Sequence, residues 1–302
     1  MVTIPPPLLP GDTVGIVCPA GYMSFEKAQT CITTLKEWGY KVKIGKTLGK
    51  QHHYFAGTDE ERLTDLQTML DDPGVKAVLC GRGGYGLSRI IDRLDFSVFA
   101  QNPKWIIGYS DITVLHSHIY TRYNIATLHS PMAAAFNDGG AENEFIKTLR
   151  KVISGEMPSY NVNLHSLNRL GVAWGPLVGG NLSLLAHLAG TSSAMETKGK
   201  ILFIEDVGEY LYNVDRMMLQ LKRTGMLNNL SGMIVGSFTE MKDTVIPFGQ
   251  GIFDLIFDKV RQFDYPVCFG FPVGHTDNNY PLVHGIPHKL SINEYSVMFT
   301  QA

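Results

Sequence analysis

Short apolar runs alternate along this chain with segments of helical spacing, and most runs stop at glycine or proline. Thr13–Cys18 (TVGIVC) leads into Pro19-Ala20-Gly21, Val75–Cys80 into a cluster of glycines, and Trp105–Ile107 into Gly108. Tyr40–Ile44 alternates as a strand does, and Ile125–Leu128 is a further apolar run. Between them Ser24 is placed to cap a helix reaching about Trp38, with Gly39 at its C-terminus. Thr58-x-x-Glu61 is a capping box opening ERLTDLQTMLDD, LSRIIDRL spells a short helix, and another helix spans Asp111–Tyr123. Uniformly apolar strands separated by helices predict an α/β fold with a parallel sheet covered on both faces. Sheets of that kind bind ligands in loops at the carboxyl ends of their strands.

The pattern changes at residues 155–175, where SGEMPSYNVNLHSLNRLGVAWGP carries few helix signals and serves as a crossover into a second domain. Beyond it come a helix after Asn181, a strand at Ile201–Ile204, a helix around Val214–Arg223 and a strand at Met233–Phe238. A helix near Ile252–Val260 and a strand at Val267–Phe271 follow, and His284–Thr300 reads as short strands with turns. The second half is mixed α/β with a β-rich end, and the chain shows no internal repeat or low-complexity segment.

Charge and composition narrow the partners. The 302 residues hold 26 Lys+Arg against 28 Asp+Glu, a net charge of −2, so no basic excess exists to neutralise a nucleic-acid backbone. No apolar run approaches the roughly 18 residues that span a bilayer. MVTIPPPLLPGD lacks the basic and long apolar regions of a secretory signal. The four cysteines, Cys18, Cys31, Cys80 and Cys268, have no CxxC spacing and read as reduced core thiols. The expectation is a soluble cytoplasmic protein without a membrane or nucleic-acid partner.

Several motifs bear on chemistry. Gly81-Arg82-Gly83-Gly84-Tyr85-Gly86 matches G-x-G-x-x-G after a strand. It follows the third strand, however, and no acidic residue ends a strand about 20 residues on, as a dinucleotide site requires. The cluster is compatible with a dinucleotide site, with a tight turn that binds nothing, or with backbone amides brought close to an oxyanion. Gly45-Lys46-Thr47 looks like the end of a phosphate loop, but Gly39 lies one residue too far upstream and a strand fills the gap. Trp105-Ile-Ile-Gly108-Tyr109-Ser110-Asp111-Ile112 has the strand–serine–helix order of a nucleophile elbow, with Ile112 where the second glycine would stand. A Ser-Asp pair at a helix start is also an ordinary N-cap.

A serine nucleophile needs a base and a residue to orient it. His116 and His118 are two apart on one helix, and His52 and His53 are adjacent in a polar loop; none has metal-ligand spacing with carboxylates. His275 sits in the glycine-framed loop Gly270-Phe-Pro-Val-Gly274-His275, as either a base or a solvated side chain. Glu205 or its neighbour Asp206, ending the strand ILFIED, can supply the acid.

Taken in order, GIVCPAG, FAGTDEERLTDLQ, GRGGYGLSRI, IIGYSDIT, GPLVGGNLSLL, LFIEDVGE, DRMMLQLKRTG, IVGSF and GFPVGHTDNNYPLVHG cover nearly the whole chain. In this set the chain resembles the bacterial L,D-carboxypeptidases that trim murein peptides, serine peptidases that include microcin-immunity peptidases. The resemblance implies a Rossmann-like domain over residues 1–160 carrying the nucleophile. A smaller β-rich α/β domain over residues 161–302 carries the rest of the triad, the site lies at their junction, and a homodimer is usual. It implies a triad of Ser110, Glu205 and His275, with oxyanion donors at the amides of Asp111 and Gly84 and no metal or organic cofactor. Arg82 is the candidate partner for the terminal carboxylate of D-alanine in a murein tetrapeptide. Cys18 departs from the alanine common in the family, and Gly179-Gly180-Asn181 falls in a motif that supports the site. Within the family the rival is a peptidase that cleaves an aminoacyl-nucleotide toxin, with Trp174, read as a loop residue, available to stack the base. Outside it the rival is a dinucleotide-dependent oxidoreductase resting on the glycine cluster.

Overall fold

The apolar runs of the first half become five parallel strands in the computed structural model, which describes residues 1–301. The strands are β1 (Thr13–Val17), β2 (Lys41–Ile44), β3 (Val75–Cys80), β4 (Trp105–Gly108) and β5 (Thr127–His129). Their order in the sheet is β2-β1-β3-β4-β5, with partners such as Val14↔Val42, Ile16↔Leu79, Val78↔Ile106 and Ile107↔Leu128. Helices α1 (Gln29–Glu37), α2 (Asp59–Asp71), α3 (Ser97–Gln101), α4 (Thr113–Tyr123) and α5 (Glu144–Ile153) accompany them. Ile16, Val17, Val78, Ile106 and Leu128 are buried, as a two-sided parallel sheet demands. The direction of winding reverses between β1 and β3, the point at which an open α/β sheet forms its ligand crevice.

Local chemistry explains where these elements begin. Thr58 and Glu61 form the expected capping box, Thr58 Oγ1 accepting from the Glu61 amide and Glu61 Oε2 from the Thr58 amide. Ser24 caps nothing: a 3-10 turn at Glu26–Ala28 precedes α1, with no side-chain cap at either start. LSRIIDRL is two 3-10 turns, Leu87–Arg89 and Ile91–Arg93, in place of a helix. The helix expected from Asp111 opens as a 3-10 turn at Ser110–Ile112 and becomes regular at Thr113.

The chain divides into two units, the first comprising Met1–Glu156 with Tyr280–Val283 and the second Met157–Asn279 with the tail from His284. The second is built on β6 (Tyr160–Val162), β7 (Gly171–Asn181), β8 (Ile201–Val207), β9 (Gly232–Thr239) and β10 (Val267–Phe269). Its helices are α6 (Leu182–Leu188), α7 (Leu211–Arg223) and α8 (Ile252–Val260). After β10 the chain adds β11 (Leu282–His284) beside β5, then β12 (Pro287–Ile292) and β13 (Val297–Gln301). The second sheet runs β10-β9-β8-β7-β12-β13-β6, parallel from β10 to β7 and antiparallel from β7 to β6. β7 is the hinge between the two patterns, and its first half lies in the stretch read as a crossover. Trp174 is therefore a strand residue, opposite Lys289 of β12, whose ammonium lies 4.8 Å from its ring centre. No helix among the described residues is long and apolar enough to cross a membrane.

Candidate active site

Ser110 stands directly after β4 with φ +64°, a left-handed backbone that non-glycine residues rarely adopt. Such strain, at a strand-to-helix turn, is what holds the side chain of a nucleophile elbow clear of the sheet. The neighbouring loop is shaped to it. A Cβ on Gly83 would lie 2.9 Å from Ser110 Cβ and 3.1 Å from its Oγ, so only glycine allows this approach. His116, buried on α4, donates through Nε2 to the Gly108 carbonyl at 2.8 Å and fixes the end of β4. Burial pushes its pKa down to about 4, so it is neutral and structural.

Two side chains brace the glycine cluster, that of Asp111, expected only for its backbone amide, and that of Arg62, not among the expected site residues. Asp111, fully buried, accepts from the Leu87 amide through Oδ2 at 2.8 Å, tying the elbow to the end of the cluster. Burial raises its pKa to about 6, against the lowering effect of that hydrogen bond and of Arg62. Arg62 of α2 is equally buried and donates through Nη1 to the carbonyls of Pro19, at 2.7 Å, and Gly86, at 3.0 Å. One guanidinium thus joins the loops that follow β1 and β3, and its Nη2 pairs with Asp59. A second tie is the Gly21 amide on the Gly83 carbonyl at 3.0 Å. The sequence signal for Arg62 was its helical spacing from Leu66 and Met69, which puts it on the buried face of α2.

Gly84 has φ +102° and is exposed at the tip of the cluster. Arg82 lies against Gly21 and donates to the Tyr22 carbonyl at 2.7 Å.

In the second unit, Glu205 lies two residues before the end of β8 and is fully buried, and its Oε2 lies 2.7 Å from His275 Nδ1. A proton on Nδ1 donated to Glu205 leaves Nε2 as the basic nitrogen. The loop bearing His275 is pinned around this contact. The Gly274 amide donates to Asn279 Oδ1 at 3.0 Å, and Thr239 Oγ1 donates to the His275 carbonyl at 2.8 Å. Gly274, at φ +115°, could not be another residue, because its Cβ would lie 2.6 Å from Glu205 Oε2. Burial opposes a charge on His275, but the Glu205 hydrogen bond and charge, with Asp206 and Glu240, outweigh it and raise the pKa.

The choice between the two acids is resolved by the alternation of the strand. Glu205 meets His275, whereas Asp206 turns to the N-terminus of α6. There Oδ1 accepts from Asn181 Nδ2 at 2.9 Å and Oδ2 from the Ser183 amide at 3.0 Å. Asn181 caps the same helix through its Oδ1, so the GGN motif is a structural joint of β7, β8 and α6. Burial and the Glu205 charge push Asp206 up to about 7.

The other motifs find their explanations. The Lys46 and Thr47 amides donate to the Asp65 carboxylate at 2.9 and 2.8 Å, so an internal carboxylate holds the place a phosphate would take. The glycine cluster is followed by 3-10 turns, and a dinucleotide site needs a helix N-terminus for its pyrophosphate. All four cysteines are free and buried. No group of three or more His, Cys, Asp or Glu that could hold a metal occurs among the described residues.

The first unit thus carries a strained serine elbow beside a glycine loop, and the second a buried glutamate on a loop histidine. The chain belongs to the LD-carboxypeptidase family, a family of peptidases. Residues 14–130 match its N-terminal domain and residues 174–290 its C-terminal domain. Across 274 residues the chain is 40% identical to a probable murein peptide carboxypeptidase of Bacillus subtilis (strain 168), covering 90% of this chain and 86% of that protein. The crystal structure of muramoyltetrapeptide carboxypeptidase from Oxalobacter formigenes superposes with a TM-score of 0.86 at 30% identity, over 96% of this chain and 98% of that one. The structure of MccF in complex with glutamyl sulfamoyl guanosine also superposes at 0.86, over 100% and 98% of the two chains, and at 22% identity that is a likeness of fold.

Proposed function

We propose that the protein is a serine L,D-carboxypeptidase that releases terminal D-alanine from murein tetrapeptides through an acyl-enzyme, within cytoplasmic recycling of cell-wall peptides. The observation that carries the reading is Ser110 at φ +64° with Gly83 pressed against it, in a chain whose His275 is oriented by Glu205. Ser110 Oγ attacks the carbonyl at the L-centre of meso-diaminopimelate while His275 Nε2 takes the hydroxyl proton. The Asp111 and Gly84 amides hold the oxyanion, each such donor contributing about 2.7–4 kcal/mol to the transition state. The C–N bond breaks as His275 returns the proton to the amine of D-alanine. Water then attacks the serine ester, His275 takes its proton and gives it back to Ser110, and the tripeptide leaves as a carboxylate. Glu205 orients His275 and stabilises the imidazolium. Arg82 pairs with the carboxylate of the D-alanine to be released. The reaction so written uses neither metal nor organic cofactor, and the working form is a homodimer.

Mass spectrometry of products tests the reading against its rival within the family. Incubation with a murein tetrapeptide should give tripeptide and D-alanine, and a sulfamoyl-linked aminoacyl nucleotide should remain intact. Cleavage of the nucleotide with the tetrapeptide untouched would replace this proposal by the toxin-cleaving one.

A further inference from the structure

A cavity of about 400 Å³, within the size range of small-ligand sites, opens beside the Ser110 elbow wholly within the first unit. Tyr22, Met23 and Ser24 line it from the loop after β1, Gly81 and Arg82 from the loop after β3, and Tyr109 from the residue before Ser110. It therefore occupies the point where the strand order reverses, where an open α/β sheet forms its ligand crevice. Its walls are otherwise apolar, with Met132, Ala134 and Ala135 completing them.

Among the described residues, the charged ones that line it are Lys27 and Arg82, both basic, and none is a carboxylate. Arg82 is steadied by its bond to the Tyr22 carbonyl, and the Lys27 backbone by Asn137 Nδ2 on its carbonyl at 2.8 Å. Lys27 has no ion-pair partner among the described residues. Two cations over an apolar floor, next to a nucleophile, suit a ligand end that carries one anion and a small aliphatic group.

We propose that this cavity is the subsite for the free C-terminus of the substrate peptide, with Lys27 joining Arg82 on the terminal carboxylate and the methionine and alanine walls receiving the side chain of the terminal residue. The assignment rests on the peptidase reading and adds to it a residue, Lys27, that selects acids over amides. An exposed ammonium contributes to such a contact modestly, and a charge-assisted pair with a carboxylate corresponds to about tenfold in affinity.

Calorimetric binding to the Ser110→Ala protein tests this without relying on turnover. The probes are a murein tetrapeptide ending in D-alanine and the same peptide ending in D-alaninamide. The acid should bind about a hundredfold more tightly than the amide, about tenfold from each cation. Lys27→Gln should cut that preference about tenfold while leaving amide binding unchanged, and Lys27→Arg should restore it. Equal binding of acid and amide, no binding of either, or a preference that Lys27→Gln leaves undiminished would overturn the assignment. D-alanine release by the unaltered enzyme, measured alongside, judges the reaction separately. Release without acid preference sinks the subsite alone; acid preference without release sinks the peptidase reading and leaves a carboxylate-binding cavity.

Discussion

Glu205 and Asp206 are adjacent carboxylates whose duties differ because a strand turns successive side chains to opposite faces. Glu205 faces His275, and Asp206 faces the cap of α6, yet the Asp206 charge also raises the His275 pKa. The sign of the resulting pH dependence is definite. The folded pKa of His275 lies above its usual 6.5, so the charged pair stabilises the fold at low pH, and that contribution is lost as pH rises through the folded value. The proposed mechanism needs the neutral imidazole, so it predicts that kcat/KM rises with pH over the same interval. Glu205, Asp206 and Glu240 are the acids acting on this histidine. Asp206→Asn should therefore move the acid limb of the kcat/KM profile to lower pH while turnover persists. It should also cost about 1–3 kcal/mol of stability, because the Ser183 amide loses its acceptor. An unmoved acid limb would show that Asp206 serves only the joint at Asn181. Sequence placed both acids at the strand end but could not choose between them, because the choice depends on which face a loop 70 residues away approaches.

At the scale of elements, the site depends on loops fitted to one another. Gly83→Ala brings a methyl group to within 2.9 Å of Ser110 Cβ, in a turn already strained. The expected result is a fall in kcat of about a hundredfold, the size of effect a displacement near 1 Å produces, with a far smaller change in thermal midpoint. Steady-state kinetics and a melting curve on the same preparation check this; unchanged kcat would mean that the contact is incidental. The strands and helices with uniform apolar or amphipathic spacing were legible. β7 was not, because Gly171, Gly175, Pro176, Gly179 and Gly180 mask its pattern. The reason for those glycines is tertiary: a Cβ on Gly179 would sit 1.9 Å from the Phe203 carbonyl of β8. α5 escaped notice although Asn143 caps it and Ile146, Leu149, Val152 and Ile153 form its buried stripe, a signal the sequence does carry. The Gly45-Lys46-Thr47 turn shows the converse. Its phosphate-like geometry is satisfied from within by Asp65, on a helix that no local pattern connects to it.

For the whole molecule, the two-part organisation matches the two family domains, one on the parallel sheet with the serine elbow and one on the mixed sheet with the Glu205–His275 pair. That the three side chains serve one reaction is the central claim, and it depends most on Ser110. The direct measurement is the rate of D-alanine release from a murein tetrapeptide by the enzyme and by its Ser110→Ala variant, at matched folded concentration. The account predicts tripeptide and D-alanine from the first and a rate lower by at least about a thousandfold from the second. Release by Ser110→Ala at the rate of the unaltered enzyme would contradict it.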